Sequence, residues 1–107
     1  MLLKNKTTLI TGASSGIGKE IAQLFAAEGS NLILTARRIE RIKELANQLT
    51  KKHNIKTLPI EIDVRNYDLV KNKLTNLPKD LNKIDILINN AGKALGIEKI
   101  NDGIIEN

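Results

Sequence analysis

The sequence has no cysteine and only two aromatic residues, Phe25 and Tyr67. Without cysteine the chain can form no disulfide, no thiol nucleophile and no cysteine metal site, which fits the reducing cytosol. The single histidine, His53, stands among lysines near the end of a helical pattern, and one isolated imidazole is a poor metal site. Stacking of single-stranded nucleic acid on aromatic rings is excluded, because the rings are missing. We therefore expect an aliphatic core and no bound metal.

Long apolar runs are missing as well. The first four residues lack the apolar stretch of a signal peptide, and no segment approaches the roughly 20 apolar residues of a membrane-spanning helix. Basic residues outnumber acidic ones by 17 to 12, but they are spread along the chain rather than clustered. A charge balance of this kind concerns solubility more than fold. We expect a soluble, cytoplasmic protein with no membrane or nucleic-acid partner, and a basic nucleic-acid binder remains an alternative.

Short apolar runs alternate with amphipathic segments along the chain. The runs predict four strands, and apolar residues at helical spacing between them predict three helices. Strands that alternate with helices imply a parallel sheet with right-handed crossovers. The predicted strands are 7–11, 31–36, 58–64 and 84–89, and the predicted helices begin after Ser15, at residue 39 and after Asn66.

The predicted fold class is α/β, a Rossmann-type doubly wound parallel sheet of βαβαβαβ order with its strands arranged 3-2-1-4. Residues 1–107 are expected to form a single dinucleotide-binding domain, truncated after the fourth strand and incomplete on its C-terminal side. Pro59 places the third strand at an edge of the sheet, because proline cannot donate to a strand ladder. The uncovered fourth strand predicts self-association or pairing with a complementary chain. Ligands bind where the strand order reverses, which is between the first and fourth strands.

A glycine-rich turn, TGASSGIG, connects the first strand to the first helix. Gly12 permits a tight turn, Gly16 lets backbone amides approach a phosphate, and Gly18 lets the helix pack close to the sheet. The helix N-terminus directs unpaired amides and a positive dipole end at an anion, and Ser14 and Ser15 add hydroxyl donors. The turn therefore predicts binding of a cofactor phosphate. The Gly-Lys-Ser/Thr ending of an ATP-binding loop is missing.

Two arginines follow the second strand, where a dinucleotide-binding fold usually presents an acid to the ribose hydroxyls. The segment reads Ala36-Arg37-Arg38 and has no acid. Two guanidinium groups can pair with a 2′-phosphate instead. The alternative is that both are solvated cations at a helix start, where the helix dipole opposes them. The arginines predict NADP (NADPH) as the cofactor rather than NAD.

These residues, taken with two later segments, resemble the short-chain dehydrogenase/reductase family. The sequence TGASSGIG looks like the family's cofactor turn, Asp63-Val64 looks like the pair that contacts adenine, and NNAG at 89–92 looks like the segment that supports the sheet and lines a ribose. The surrounding sequence is similar to the NADP-dependent subgroup that oxidises small 3-hydroxy acids such as serine. The resemblance implies cofactor contacts by Gly12, Ser14, Ser15, Gly16, Ile17, Gly18, Arg37, Arg38, Asp63, Val64 and Asn90.

The residues alone leave alternatives for Asp63 and for the two asparagines of the NNAG segment. Asp63 also fits a helix-capping acid before the third helix, because it stands just ahead of that helix. Asn89 and Asn90 also fit a structural turn after the fourth strand.

The resemblance further implies hydride transfer between NADP and a small alcohol or carbonyl. Family members use a Tyr-x-x-x-Lys pair with a Ser and an Asn, and the pair lies well after NNAG. Tyr67 and Lys71 have this spacing, but they precede the fourth strand, and we interpret the match as coincidental. No catalytic residue is assigned, so the chain is expected to be the cofactor-binding half of an oxidoreductase and inactive alone, with a small-molecule substrate only if the missing half is present. The alternative is a non-catalytic dinucleotide-binding fragment or a subunit completed by another chain.

Overall fold

The computed structural model describes residues 1–63 and 65–90 of the 107-residue chain. Strands and helices alternate throughout this part, as the apolar pattern predicts. In chain order the elements are β1 (Thr7–Thr11), α1 (Gly16–Ala27), β2 (Asn31–Ala36), α2 (Ile39–His53), β3 (Thr57–Glu61), α3 (Tyr67–Thr75) and β4 (Ile86–Asn89). Val64 and residues 91–107, which include the last two residues of the NNAG motif, lie outside the described residues.

The four described strands form one parallel sheet in the order β3-β2-β1-β4. In the register of the sheet, Leu9 of β1 lies between Ile33 of β2 and Leu87 of β4. The predicted Rossmann-type α/β fold and its 3-2-1-4 order are confirmed. The order reverses between β1 and β4, and the paired residues Thr11 and Asn89 mark the carboxyl ends of these strands.

The two faces of the sheet carry separate apolar cores. Residues of α1 and α2 pack on one face, where Leu32 and Leu34 are fully buried. Residues of α3 pack on the other face, where Ile33 joins Val70 and Leu74. Successive side chains of β2 therefore alternate between the two cores, which is typical of a parallel strand covered on both faces.

Two helices begin at the N-caps that the sequence predicts. The Ser15 hydroxyl accepts a hydrogen bond of 3.1 Å from the Gly18 amide, at the start of α1. The Asn66 side chain accepts one of 3.2 Å from the Leu69 amide, at the start of α3. Because each cap satisfies an amide that has no partner inside its helix, the starts of α1 and α3 are fixed by local sequence.

The fully buried residues of helix α1 are small, while the larger Ile21 and Phe25 pack against the same core and are half-buried. Gly18, Ala22 and Ala26 are buried, which lets the helix axis approach the strands closely. Two of the large residues whose spacing predicts the helix are exposed instead, at 65% for Ile17 and 67% for Leu24. The helical period was therefore predicted correctly, but the buried face is rotated away from these two side chains.

The limits of the last two strands differ from the predictions. Strand β3 ends at Glu61 rather than at residue 64, because the chain turns where the Asn66 amide donates to the Asp63 carbonyl at 3.0 Å. Strand β4 begins at Ile86 rather than at residue 84. Pro59 lies in β3 at an edge of the described sheet, as predicted. Within residues 1–63 and 65–90, no helix has the length and apolar content needed to cross a bilayer.

Candidate functional site

The glycine turn leaves β1 and enters α1 at the point where the strand order reverses. Gly12 has a φ of 64°, a left-handed conformation that favours glycine. The Ala13 amide donates to the Thr35 carbonyl of β2 at 3.0 Å, which ties the turn to the neighbouring strand. The turn is therefore fixed against the carboxyl ends of both β1 and β2.

The carbonyl oxygen of Gly12 is held by three donors. They are the Ser15 amide at 3.2 Å, the Ser15 hydroxyl at 3.0 Å and the Asn90 side-chain amide at 3.1 Å. Asn90 also donates to the Ser15 hydroxyl oxygen at 2.8 Å, so the residue after β4 clamps the turn. The Ser15 hydroxyl thus donates its one proton to the Gly12 carbonyl within the turn. Of the two serines expected to donate to a ligand, only Ser14 has no such bond within the turn in the described residues.

Gly16 and Gly18 differ in the space around them. A Cβ on Gly18 would lie 2.3 Å from the Gly12 carbonyl oxygen and 2.9 Å from the Asn90 amide nitrogen, both in the clamped turn. A Cβ on Gly16 would meet nothing within 4 Å. Gly18 is therefore required by packing, whereas no packing contact in the described residues explains the glycine at position 16.

The first amides of α1 are available to a ligand. Ser15 satisfies the amides of Gly18 and Lys19, through its hydroxyl and its carbonyl. The amides of Gly16 and Ile17 have no hydrogen-bond partner in the part of the chain that the structure describes. Together with the positive end of the helix dipole, these two amides form an anion-binding N-terminus.

A cavity of about 780 Å³ opens beside this turn, across the carboxyl ends of β1, β2 and β3. All four arginines of the sequence line it, whereas none of the lysines in the described ranges does. Arginine is the basic residue whose planar group binds phosphate through paired hydrogen bonds. The lining consists of Gly12, Ser14, Ser15, Thr35, Ala36, Arg37, Arg38, Arg41, Ile62, Asp63, Arg65 and Asn90.

Three of the arginines stand at the start of α2. Arg38 occupies its N-cap position but makes no side-chain cap, and the Glu61 carboxylate accepts a long hydrogen bond of 3.4 Å from the Ile39 amide. Arg37 precedes the cap and Arg41 lies in the first turn. Cations at a helix N-terminus oppose the helix dipole, so this arrangement favours an anion in the cavity.

The fourth arginine forms an ion pair with Asp63 on the loop between β3 and α3. Arg65 donates from Nε to Oδ1 at 3.0 Å and from Nη2 to Oδ2 at 2.8 Å, and its backbone amide donates to Oδ1 at 3.0 Å. These hydrogen bonds, first from the side chain and then from the backbone, hold the pKa of the Asp63 carboxyl well below its usual range. The same pair raises the pKa of Arg65. Because Asn66 caps α3, Asp63 is not the helix-capping acid that the sequence also allowed.

A buried hydroxyl in the cavity wall has no hydrogen-bond partner among the described residues. Thr35, at the end of β2, is 1% exposed, and its Oγ1 makes no hydrogen bond within residues 1–63 and 65–90. Buried polar atoms without a partner are rare in folded proteins. Thr35 belongs to the cavity wall, but its hydroxyl oxygen is buried behind the surface of the cavity.

The structure brings together most of the site residues predicted from the sequence. Gly16, Ile17 and Gly18 form the first turn of α1 beside the cavity, and Val64 lies outside the described residues. Asn89 serves the sheet, because its side-chain oxygen accepts a hydrogen bond of 2.9 Å from the Thr11 hydroxyl. The predicted residues that line the cavity are Gly12, Ser14, Ser15, Arg37, Arg38, Asp63 and Asn90.

Three polar lining residues were missed, namely Thr35, Arg41 and Arg65. Thr35 had a signal, because it precedes Ala36 at the carboxyl end of a strand, where ligands bind. Arg65 follows the Asp63-Val64 pair by one residue. No local signal distinguished Arg41 from the basic residues elsewhere on α2.

The tyrosine and lysine that imitate a catalytic pair lie elsewhere. Tyr67 and Lys71 are on α3, and neither lines the cavity. His53 ends α2. No group of three or more potential metal ligands occurs in the described parts of the chain.

Comparison with known proteins identifies the family. Residues 6–106 match the family model described as short chain dehydrogenase. The chain belongs to the short-chain dehydrogenase family. Among its relatives, a Schizosaccharomyces pombe protein named NADP-dependent 3-hydroxy acid dehydrogenase is 45% identical over 101 residues, which cover 94% of this chain and 39% of that protein. A Chromohalobacter salexigens protein named sulfoacetaldehyde reductase 2 is 42% identical over 94 residues, covering 88% of this chain and 36% of that one.

Solved structures of the same family share the fold of this short-chain dehydrogenase. L-sorbose reductase from Gluconobacter frateurii, in complex with NADPH and L-sorbose, superimposes with a TM-score of 0.77 and 37% sequence identity. The match covers 86% of this chain and 35% of that one. The present short-chain dehydrogenase sequence thus spans less than half the length of the relatives it matches.

Proposed function

We propose that this chain is the cofactor-binding half of an NADP-dependent oxidoreductase, with residues 1–107 forming one dinucleotide-binding domain. The observation that carries the proposal is the cavity that all four arginines line together with Ser15, the N-cap residue of α1. NADP bound there would accept a hydride from a small alcohol, and NADPH would give one to a carbonyl. The name of the Schizosaccharomyces pombe relative supports a 3-hydroxy acid as the substrate class. The proposal also includes the cytoplasmic location expected from the sequence.

The glycine turn would hold the pyrophosphate. The amides of Gly16 and Ile17 are unpaired in the described chain, and the open space where Gly16 lacks a Cβ lets a phosphate reach them. Ser14 lines the same wall and offers its hydroxyl. Gly12, Ser15 and Gly18 would act indirectly, by giving the turn its shape.

The arginines at the start of α2 would bind the 2′-phosphate of the adenosine ribose. Arg37 and Arg38 are the pair predicted from the sequence, and Arg41 adds a third positive charge to the same wall. A 2′-hydroxyl, as in NAD, would offer these cations no charge-assisted hydrogen bond. Asp63, Val64 and Asn90 would complete the adenosine side of the site, in line with the family resemblance.

A fluorescence titration of the 107-residue chain with NADPH and NADH tests the proposal. We expect NADPH to bind at least about tenfold more tightly, because a charge-assisted hydrogen bond contributes about 1.5–3 kcal/mol. Equal affinities for the two dinucleotides would contradict the assignment of NADP. Failure of both to bind would contradict dinucleotide binding altogether.

A second candidate is a dinucleotide-binding fragment or subunit completed by another chain. The outer edge of β4 pairs with no described strand, and Ile86, Leu87 and Ile88 are only half-buried. Tyr67 is the one tyrosine of the sequence and does not line the cavity, so the cavity has no tyrosine for acid–base catalysis.

We expect the chain alone to oxidise no NADPH with any carbonyl, and to sediment with a mass that rises with its concentration. Turnover by a concentration-independent monomer would contradict this candidate.

A further inference from the structure

A smaller cleft lies against the arginine-rich cavity, between the start of α1 and the first half of α2. Its volume is about 260 Å³, and Ser14 and Arg41 line both the cleft and the cavity. Because no other described residue is shared by the two linings, these two side chains separate the spaces. The other residues that line the cleft are Ala13, Lys19, Glu44, Leu45 and Gln48.

The geometry of α2 places an acid beside Arg41 in this cleft. Glu44 follows Arg41 by three positions, so the two side chains are neighbours on one face of the helix, and both line the cleft. In the described parts of the chain neither of them forms an ion pair or a side-chain hydrogen bond. The Arg41 guanidinium is therefore free to turn either towards the Glu44 carboxylate in the cleft or towards an anion in the cavity.

The other three arginines of the cavity do not have this choice. Arg37 and Arg38 line the cavity but not the cleft, and Arg65 is bound to Asp63. An anion in the cavity gains from Arg41 only in those molecules whose guanidinium faces the cavity, and its apparent affinity falls with that fraction. A carboxylate on the cleft side lowers this fraction.

We propose that Glu44 is a positioning residue that draws Arg41 towards the cleft, and that it thereby limits the margin by which the site binds NADPH more tightly than NADH. The 2′-phosphate is the group that gains from Arg41, because it is the one charged group that distinguishes the two dinucleotides. Glu44 does not line the cavity, so its effect is indirect. This inference rests on the proposed dinucleotide site and adds a residue that tunes its cofactor preference.

The variant Glu44→Gln tests the inference, because it removes the negative charge and keeps the size of the side chain. Fluorescence titration of the 107-residue chain at low salt should give about threefold tighter binding of NADPH and unchanged binding of NADH, since an exposed ion pair contributes about this much. The gain should shrink at high salt, where exposed charges are screened. Glu44→Asp keeps a carboxylate and should leave the NADPH affinity close to that of the parent chain.

A double variant shows whether Glu44 acts through Arg41. In an Arg41→Ala background, Glu44→Gln should change neither affinity, because the cation for which the carboxylate competes has been removed. Glu20→Gln is the matched control, since it removes an exposed acid of α1 that lines neither space, and it should leave both affinities unchanged. The urea midpoints of Glu44→Gln and the parent chain should agree, and a shifted midpoint would overturn the inference by assigning the change in affinity to the fold.

The outcomes distinguish the inference from the function on which it rests. If Glu44→Gln leaves the NADPH affinity unchanged, raises both affinities equally, or keeps its gain in the Arg41→Ala background, the positioning role of Glu44 is wrong while the dinucleotide site stands. If the parent chain binds neither dinucleotide, or binds both equally well, the proposed function fails and the inference fails with it.

Discussion

Replacing both Arg37 and Arg38 by alanine is expected to weaken NADPH binding by about a hundredfold and NADH binding by less than about threefold. The two guanidiniums line the cavity beside the open helix terminus, and the phosphate that they would bind is absent from NADH. Two charge-assisted hydrogen bonds in a partly solvated site are together worth about 3 kcal/mol, which corresponds to that ratio. Fluorescence titration with both dinucleotides, at low and at high salt, measures the effect.

Lys43→Ala is the matched control for this double variant. Lys43 is an exposed cation on the same helix, α2, and it does not line the cavity. Its removal should leave both affinities within about twofold of the parent values, since an exposed charge that does not line the cavity is screened by water and salt. A parallel loss of NADPH and NADH affinity in the double variant would show that the arginines support the fold or the pyrophosphate rather than the 2′-phosphate.

Gly18→Ala is expected to lower the free energy of unfolding by about 3 kcal/mol, the upper part of the range for overpacking a close contact. The new Cβ would stand 2.3 Å from the Gly12 carbonyl oxygen, and this atom is backbone fixed by three hydrogen bonds. Relief would require α1 to move away from the turn, and with it the buried Ala22 and Ala26. Urea unfolding followed by circular dichroism measures the loss.

Gly16→Ala supplies the contrast within the same turn. Its Cβ would meet nothing within 4 Å, so the variant should unfold at the same urea concentration as the parent chain or slightly above it. NADPH binding should nevertheless fall by about tenfold, because the methyl group would enter the space that we assign to the pyrophosphate. Equal destabilisation by both substitutions, or unchanged NADPH binding by the Gly16 variant, would contradict these separate roles.

The fold was predictable because each of its signals is local. Strands covered on both faces appear as continuous apolar runs, Ser15 and Asn66 stand as caps directly before their helices, and Pro59 marks an edge. The buried face of α1 was not predictable in the same way. Close approach of this helix to the sheet selects alanine and glycine for its fully buried positions, and the helical spacing of apolar residues does not reveal that Leu24 is exposed.

Apart from Thr35, which ends a strand and was missed, the site was predicted where residues follow a strand directly and missed where they lie farther along a helix or loop. Arg37 and Arg38 follow β2 directly, and strand ends converge at one edge of a parallel sheet whatever the details of packing. Arg41 lines the cavity from the first turn of α2, so its position depends on how this helix is oriented on the sheet, which the sequence does not specify. Arg65 depends likewise on a loop conformation that is closed by its own bonds to Asp63.

The three donors on the Gly12 carbonyl have a thermodynamic consequence. They come from the protein itself, so the turn needs no ligand to hold its conformation. A backbone that is already ordered loses little conformational entropy when a pyrophosphate arrives. A cofactor should therefore bind to this preorganised turn with almost no rearrangement of the main chain. Its affinity should depend on the contacts with the turn, with little loss for ordering the backbone.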